Sequence, residues 1–144
     1  MSTIYAQLMD QSHKKYLLSG VQYDGKVYHQ DINGRMPNVH IIISTSWKLV
    51  PVAGNPGYYH IIDLLHGKAL VAGNNYDGRV YHQAPQGRKN AEWKLVKTDT
   101  LDVFEIYDAK HGKALVAGDN YDGRVYHQAP NNRLNGRWKL LWVD

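Results

Sequence analysis

Residues 66–85 (HGKALVAGNNYDGRVYHQAP) return 45 positions later at residues 111–130, with 19 of the 20 unchanged. A more diverged copy stands upstream at residues 13–30 (HKKYLLSGVQYDGKVYHQ), keeping the leading His, Gly20 and the run Tyr-Asp-Gly-Lys-Val-Tyr-His-Gln. Trp47, Trp93 and Trp138, each followed by Lys-Leu, close the three copies. A fixed period of this length marks a repeat architecture, in which one supersecondary unit cannot bury its own apolar face and packs against its siblings. Copies at about 1–52, 53–98 and 99–144 use up the whole chain, so residues 1–144 are expected to form a single domain.

Each copy reads as short β-prone runs separated by turns. In the second these are residues 58–65, 68–73, 79–84 and 92–97, with Tyr76-Asp77-Gly78 between the middle pair. Asp-Gly between β-prone runs signals a hairpin, because glycine supplies positive φ without steric cost. No stretch sustains a 3.6-residue period, which argues for an all-β barrel or sandwich. Four strands in each of three repeats of roughly 45 residues divide naturally into a β-trefoil, six strands closing a barrel and three hairpins capping one end. A propeller blade also has four strands, but three blades rarely close a ring. The three Trp residues, alternating with Leu two positions on, are expected in the interior.

The formal charge of +4 invites a nucleic-acid reading. The basic residues argue against it: Lys26, Arg79 and Arg124 occupy equivalent places, as do Lys48, Lys94 and Lys139, so charge is spread around the molecule and gathers no stripe. The longest apolar run, residues 39–43, is too short to span a bilayer, and no membrane insertion is expected. There is no cysteine, and the first ten residues lack a charged start and an apolar stretch of the secretory kind. A cytoplasmic location follows as the expectation, with release by a non-classical route left open.

The copies also repeat a set of polar residues around one hairpin. These are Asn75, Asp77, Tyr81 and Gln83 in the second copy, Asn120, Asp122, Tyr126 and Gln128 in the third, and Asp24, Tyr28 and Gln30 with Gln22 in the first. Alternation along the strand puts Tyr and Gln on one face, opposite Val and His. An aromatic, an amide and a carboxylate on one patch are what a sugar needs: its C–H face stacks on the ring and its hydroxyls meet the polar groups. The plainer reading of the Asp residues is that they shape the turn through backbone N–H groups. His29, His82 and His127 recur with the same symmetry, yet no carboxylate or Cys accompanies them at ligand spacing, so no metal is expected. The second and third copies contain no Ser, and no catalytic or cofactor motif occurs. Neither an enzyme nor a bound cofactor is expected, and repetition itself argues for multivalent binding.

These residues resemble the ricin-B-type lectin repeat: an opening strand, Gly-Lys-x-Leu, a Gly-rich hairpin, a Val-containing strand and an Asn-x-x-Trp ending, over essentially the whole chain. The resemblance implies a β-trefoil in which each repeat holds one sugar by an Asp after the Gly-Lys-x-Leu segment, a stacking aromatic on the third strand and the closing Asn. Asn90 and Asn135 match that Asn. The Asp is replaced by Val71 and Val116, with Leu18 in the first copy, and Gln83 and Gln128 stand where the aromatic usually is, with Tyr81 and Tyr126 two residues earlier.

The expected activity is therefore that of a lectin binding glycans or glycoconjugates at up to three sites, agglutinating or defensive in role. The alternative is a β-trefoil protease inhibitor or protein-interaction module. It would use an insertion in the first copy, where seven more residues separate Gln30 from Trp47 than Gln83 from Trp93. That insertion, residues 36–45 with its apolar 39–43 run, reads as a flap over the barrel end or as a partner or subunit contact, the place where a homodimer would form.

Overall fold

In the computed structural model the described residues are 4–12, 14, 16–19, 27–30, 46–64, 67–72, 80–83, 89–110, 112–117, 125–128 and 134–143. The insertion at residues 36–45 and the Tyr-Asp-Gly hairpin tips lie outside them. Twelve strands occur among the described residues, joined by two 3-10 turns at Lys89–Ala91 and Leu134–Gly136. The strands are β1 (Ile4–Asp10), β2 (Tyr16–Ser19), β3 (Val27–Gln30), β4 (Trp47–Pro51), β5 (Tyr58–Asp63) and β6 (Ala69–Ala72). They continue as β7 (Val80–Gln83), β8 (Trp93–Lys97), β9 (Val103–Asp108), β10 (Ala114–Ala117), β11 (Val125–Gln128) and β12 (Arg137–Val143). The all-β class expected from the alternating pattern is what the chain adopts.

Six strands close on themselves. β1 pairs with β12 and β4, β5 with β4 and β8, and β9 with β8 and β12, all antiparallel. Closure removes the free edges that would otherwise template aggregation. The remaining six form hairpins, β2–β3, β6–β7 and β10–β11, springing from β1, β5 and β9. Strands β3, β7 and β11 each approach the other two.

The barrel is filled by Trp47, Trp93 and Trp138, which have no solvent exposure, packed with Leu17, Leu70, Leu115, Leu8, Ile61, Ile106 and Leu140. A buried indole N–H must find an acceptor. Trp47 Nε1 donates to Leu17 O at 3.0 Å, Trp93 Nε1 to Leu70 O at 2.8 Å and Trp138 Nε1 to Leu115 O at 3.0 Å. These bonds tie each closing strand to the second strand of its own copy. They span 30 residues in the first copy and 23 in the others, the difference being the insertion.

A buried aspartate ends the opening strand of each copy: Asp10, Asp63 and Asp108. Its carbonyl oxygen accepts the backbone N–H four residues on, from Lys14, Gly67 and Gly112, at 3.0 Å each. The carboxylates of Asp63 and Asp108 also accept Lys68 N at 3.0 Å and Lys113 N at 3.1 Å. This turn needs a left-handed residue, with φ +68° at Gly67, +66° at Gly112 and +58° at Lys14.

Candidate functional site

The outer face of each hairpin is set by strand register. Ala69 lies opposite Gln83 and Val71 opposite Tyr81, while Leu70 lies opposite His82 and Ala72 opposite Val80. Leu70 and Ala72 belong to the barrel core. Positions 69, 71, 81 and 83 therefore form the other face by the two-residue alternation, the division expected for Tyr81 and Gln83. The third copy repeats it, with Ala114 opposite Gln128 and Val116 opposite Tyr126. In the first copy Tyr16 lies opposite Gln30 and Leu18 opposite Tyr28. His29, His82 and His127 fall opposite the core leucines Leu17, Leu70 and Leu115. Among the described residues no three His, Cys, Asp or Glu side chains gather as a metal set.

This face has an apolar floor. Val71, 4% exposed, packs with buried Ala69 and Ala91 and with half-buried Ile62 in a cluster separate from the barrel core. Val116 is 2% exposed, and a Cβ added at Gly136 would sit 3.8 Å from its Cγ2. The 3-10 turns, which contain Asn90 and Asn135, thus lie against the second strand of their hairpins. Val71 and Val116 lie buried under the closing turns of their copies. Asn75, Asp77, Asn120, Asp122 and Asp24 lie outside the described residues.

Flanking residues differ between copies. Beside the third hairpin stand Glu105, Tyr107 and Arg137, Glu105 opposite Arg137 and Tyr107 opposite Ala114. The equivalent positions hold His60, Ile62 and Glu92 in the second copy and Gln7, Met9 and Ser46 in the first. Burial, followed by the charge of Glu105 and a hydrogen bond to it, pushes the Tyr107 hydroxyl above the ordinary tyrosine pKa, and Arg137 partly offsets this. Arg137 Nε is buried without a hydrogen-bond partner. In the second copy Asn55 Nδ2 donates to Glu92 Oε1 at 3.1 Å. His60 Nδ1 lies 3.1 Å from Ala91 O, and since a carbonyl only accepts, Nδ1 carries the proton there.

Two sets of residues were not singled out in the sequence. The buried aspartates have a legible signal, recurring three positions before His13, His66 and His111. The flanking trio has none, because its members do not repeat.

No family model and no curated protein matches this chain. Solved structures do. A designed threefold-symmetric protein, ThreeFoil, superposes with TM-score 0.79 at 23% identity, over 95% of this chain and 97% of its own. The BEL β-trefoil superposes with TM-score 0.78 at 15% identity, over 97% and 93%. A Polyporus squamosus lectin, bound to a Neu5Acα2-6Galβ1-4GlcNAc epitope, superposes with TM-score 0.78 at 16% identity, over 97% of this chain and 49% of that one. Several matched chains are far longer: this chain spans 33% of an endo-β-galactosidase from Clostridium perfringens and 31% of an exo-β-1,3-galactanase from Clostridium thermocellum. The fold is that of the β-trefoil.

Proposed function

We propose that this chain is a carbohydrate-binding β-trefoil of the ricin-B kind, built of three four-stranded repeats, binding glycans on the outer faces of its three hairpins. The observation that carries the reading is the repeated face itself. Tyr81 with Gln83, and Tyr126 with Gln128, stand opposite the buried floors of Val71 with Ala69 and of Val116 with Ala114. Tyrosine and glutamine at positions that share a face with buried Val and Ala supply the aromatic and amide chemistry that suits the amphipathic surface of a pyranose. With valine in place of the family's aspartate, the polar contacts come from Gln83 and Gln128, from Asn90 and Asn135, and from the hairpin residues Asn75, Asp77, Asn120 and Asp122. In the first copy they come from Asp24, Tyr28 and Gln30.

Up to three such faces convert weak single-sugar binding into avidity on a multivalent glycan, which suits agglutination or defence. The chain carries no catalytic role in this reading, and where it forms part of a longer protein it serves as the targeting module. The test is a broad glycan array run with the wild type and with the Tyr81→Ala plus Tyr126→Ala double variant. Selective binding that the double variant loses supports the reading. Silence across the array sinks it and turns attention to protease inhibition through residues 36–45.

A further inference from the structure

We infer a further carbohydrate-binding site, away from the hairpin faces, where the loop between β8 and β9 meets the end of β12. Of the four tryptophans, three have no solvent exposure; Trp142 is 49% exposed. Its indole Nε1 donates to Asp102 Oδ1 at 3.4 Å, and Asp102 is one of the residues 97–104 that line a groove of about 380 Å³. That volume lies within the range of small-molecule sites, roughly 300–1,000 Å³.

The loop is built to hold its shape. Thr98 Oγ1 donates to Val103 O at 2.8 Å and accepts Thr100 N at 3.2 Å, and Thr98 N donates to Val103 O at 3.1 Å. Asp102 takes a left-handed backbone at φ +61° while its carbonyl accepts Leu140 N at 2.8 Å, locking the loop to β12. Leu101, 85% exposed, stands at the tip. Among the described residues Asp102 is one of two non-glycine residues with positive φ, and it is the one that holds an exposed indole.

The chemistry specifies a pyranose. The indole presents a flat π surface to sugar C–H groups, and the groove that Asp102 joins to it is bordered by Asp99, Thr100 and Lys97, offering acceptors and donors to hydroxyls. A second protein is a poor fit, because one indole and one leucine fall well short of the roughly 800 Å² per partner of a stable interface. The site is also outside the repeat symmetry. Pro51 and Lys97 occupy the positions equivalent to Trp142, and the loop between β4 and β5 is the glycine-containing VAGNPG without an aromatic. The inference does not depend on the hairpin faces.

The chain carries its own reporter, since Trp142 is its one exposed indole. The experiment titrates the intact protein, with ¹⁵N-labelled indoles, with galactose, N-acetylglucosamine, mannose and lactose. At least one sugar is expected to shift the Trp142 N–H resonance saturably, with a Kd in the millimolar range, and to protect its fluorescence from acrylamide. Trp142→Ala removes the response. Asp102→Asn, which tolerates the left-handed backbone, weakens it about tenfold with the fold intact, whereas Tyr81→Ala plus Tyr126→Ala leaves it unchanged. A Trp142 resonance that none of the four sugars moves overturns the proposal. So does one that moves with protein concentration alone, which would assign the patch to self-association.

Discussion

The first copy and the second reach the same buried hydrogen bonds from different sequences. Lys14 takes the left-handed turn that Gly67 takes in the second copy, and both donate to the aspartate carbonyl at 3.0 Å. Trp47 reaches Leu17 O across 30 residues, Trp93 reaches Leu70 O across 23, and both indoles are fully buried. The difference shows which constraint rules. A buried donor left unsatisfied costs about 1–3 kcal/mol, comparable to or more than the roughly 1–2 kcal/mol of a left-handed non-glycine residue. Doubling a loop costs only about 0.6 kcal/mol. Loop length and residue preference therefore yield, and the tryptophan and aspartate bonds stay.

If the copies are equal where they are buried, Trp47→Ala and Trp93→Ala should each destabilise by about 3–5 kcal/mol, for a lost aromatic and an orphaned carbonyl. Guanidinium unfolding checks this. A much smaller loss for Trp47→Ala would show that the insertion has loosened the first copy. At the turn the sign should reverse between copies. Lys14→Gly relieves left-handed strain at some cost in chain entropy and should stabilise by about 0.5–1 kcal/mol. Gly67→Ala should destabilise by about 1 kcal/mol, and equal effects at both turns would show that the two copies hold the left-handed residue at the same cost. The smallest effect belongs to the outward positions, where Tyr107 titrates and its counterparts Ile62 and Met9 do not. Its folded pKa is raised, so the unfolded chain releases that proton first and stability falls as pH climbs past the ordinary tyrosine value. Tyr107→Phe should flatten that alkaline loss, measured by denaturant midpoints across the pH range.

Much of the fold was legible because it repeats. The strand positions followed from Asp-Gly turns and alternation: within the expected 58–65 and 68–73 runs lie strands Tyr58–Asp63 and Ala69–Ala72, with residues 65 and 73 outside the described ones. The division of Tyr81 and Gln83 from Val80 and His82 was legible for the same reason, since a strand has only two faces. The burial of Val71 was not, because nothing local says that Ala91, twenty residues on, lies against it with Ile62. The exposure of Trp142 was not legible either, because it sits four residues after a core tryptophan on the same strand, where alternation alone does not distinguish a buried end from an open one.

By itself the sequence determined what periodicity can encode: an all-β chain in three copies, a tryptophan core and a hairpin face bearing tyrosine and glutamine. Tertiary structure alone decided what lies between elements distant in the chain. It put the valine floors under the 3-10 turns, set Arg137 opposite Glu105, and left one indole in solvent beside the β8–β9 loop. The reason is physical: local pattern specifies which side of a strand faces inward, whereas exposure depends on which other strand arrives to cover it.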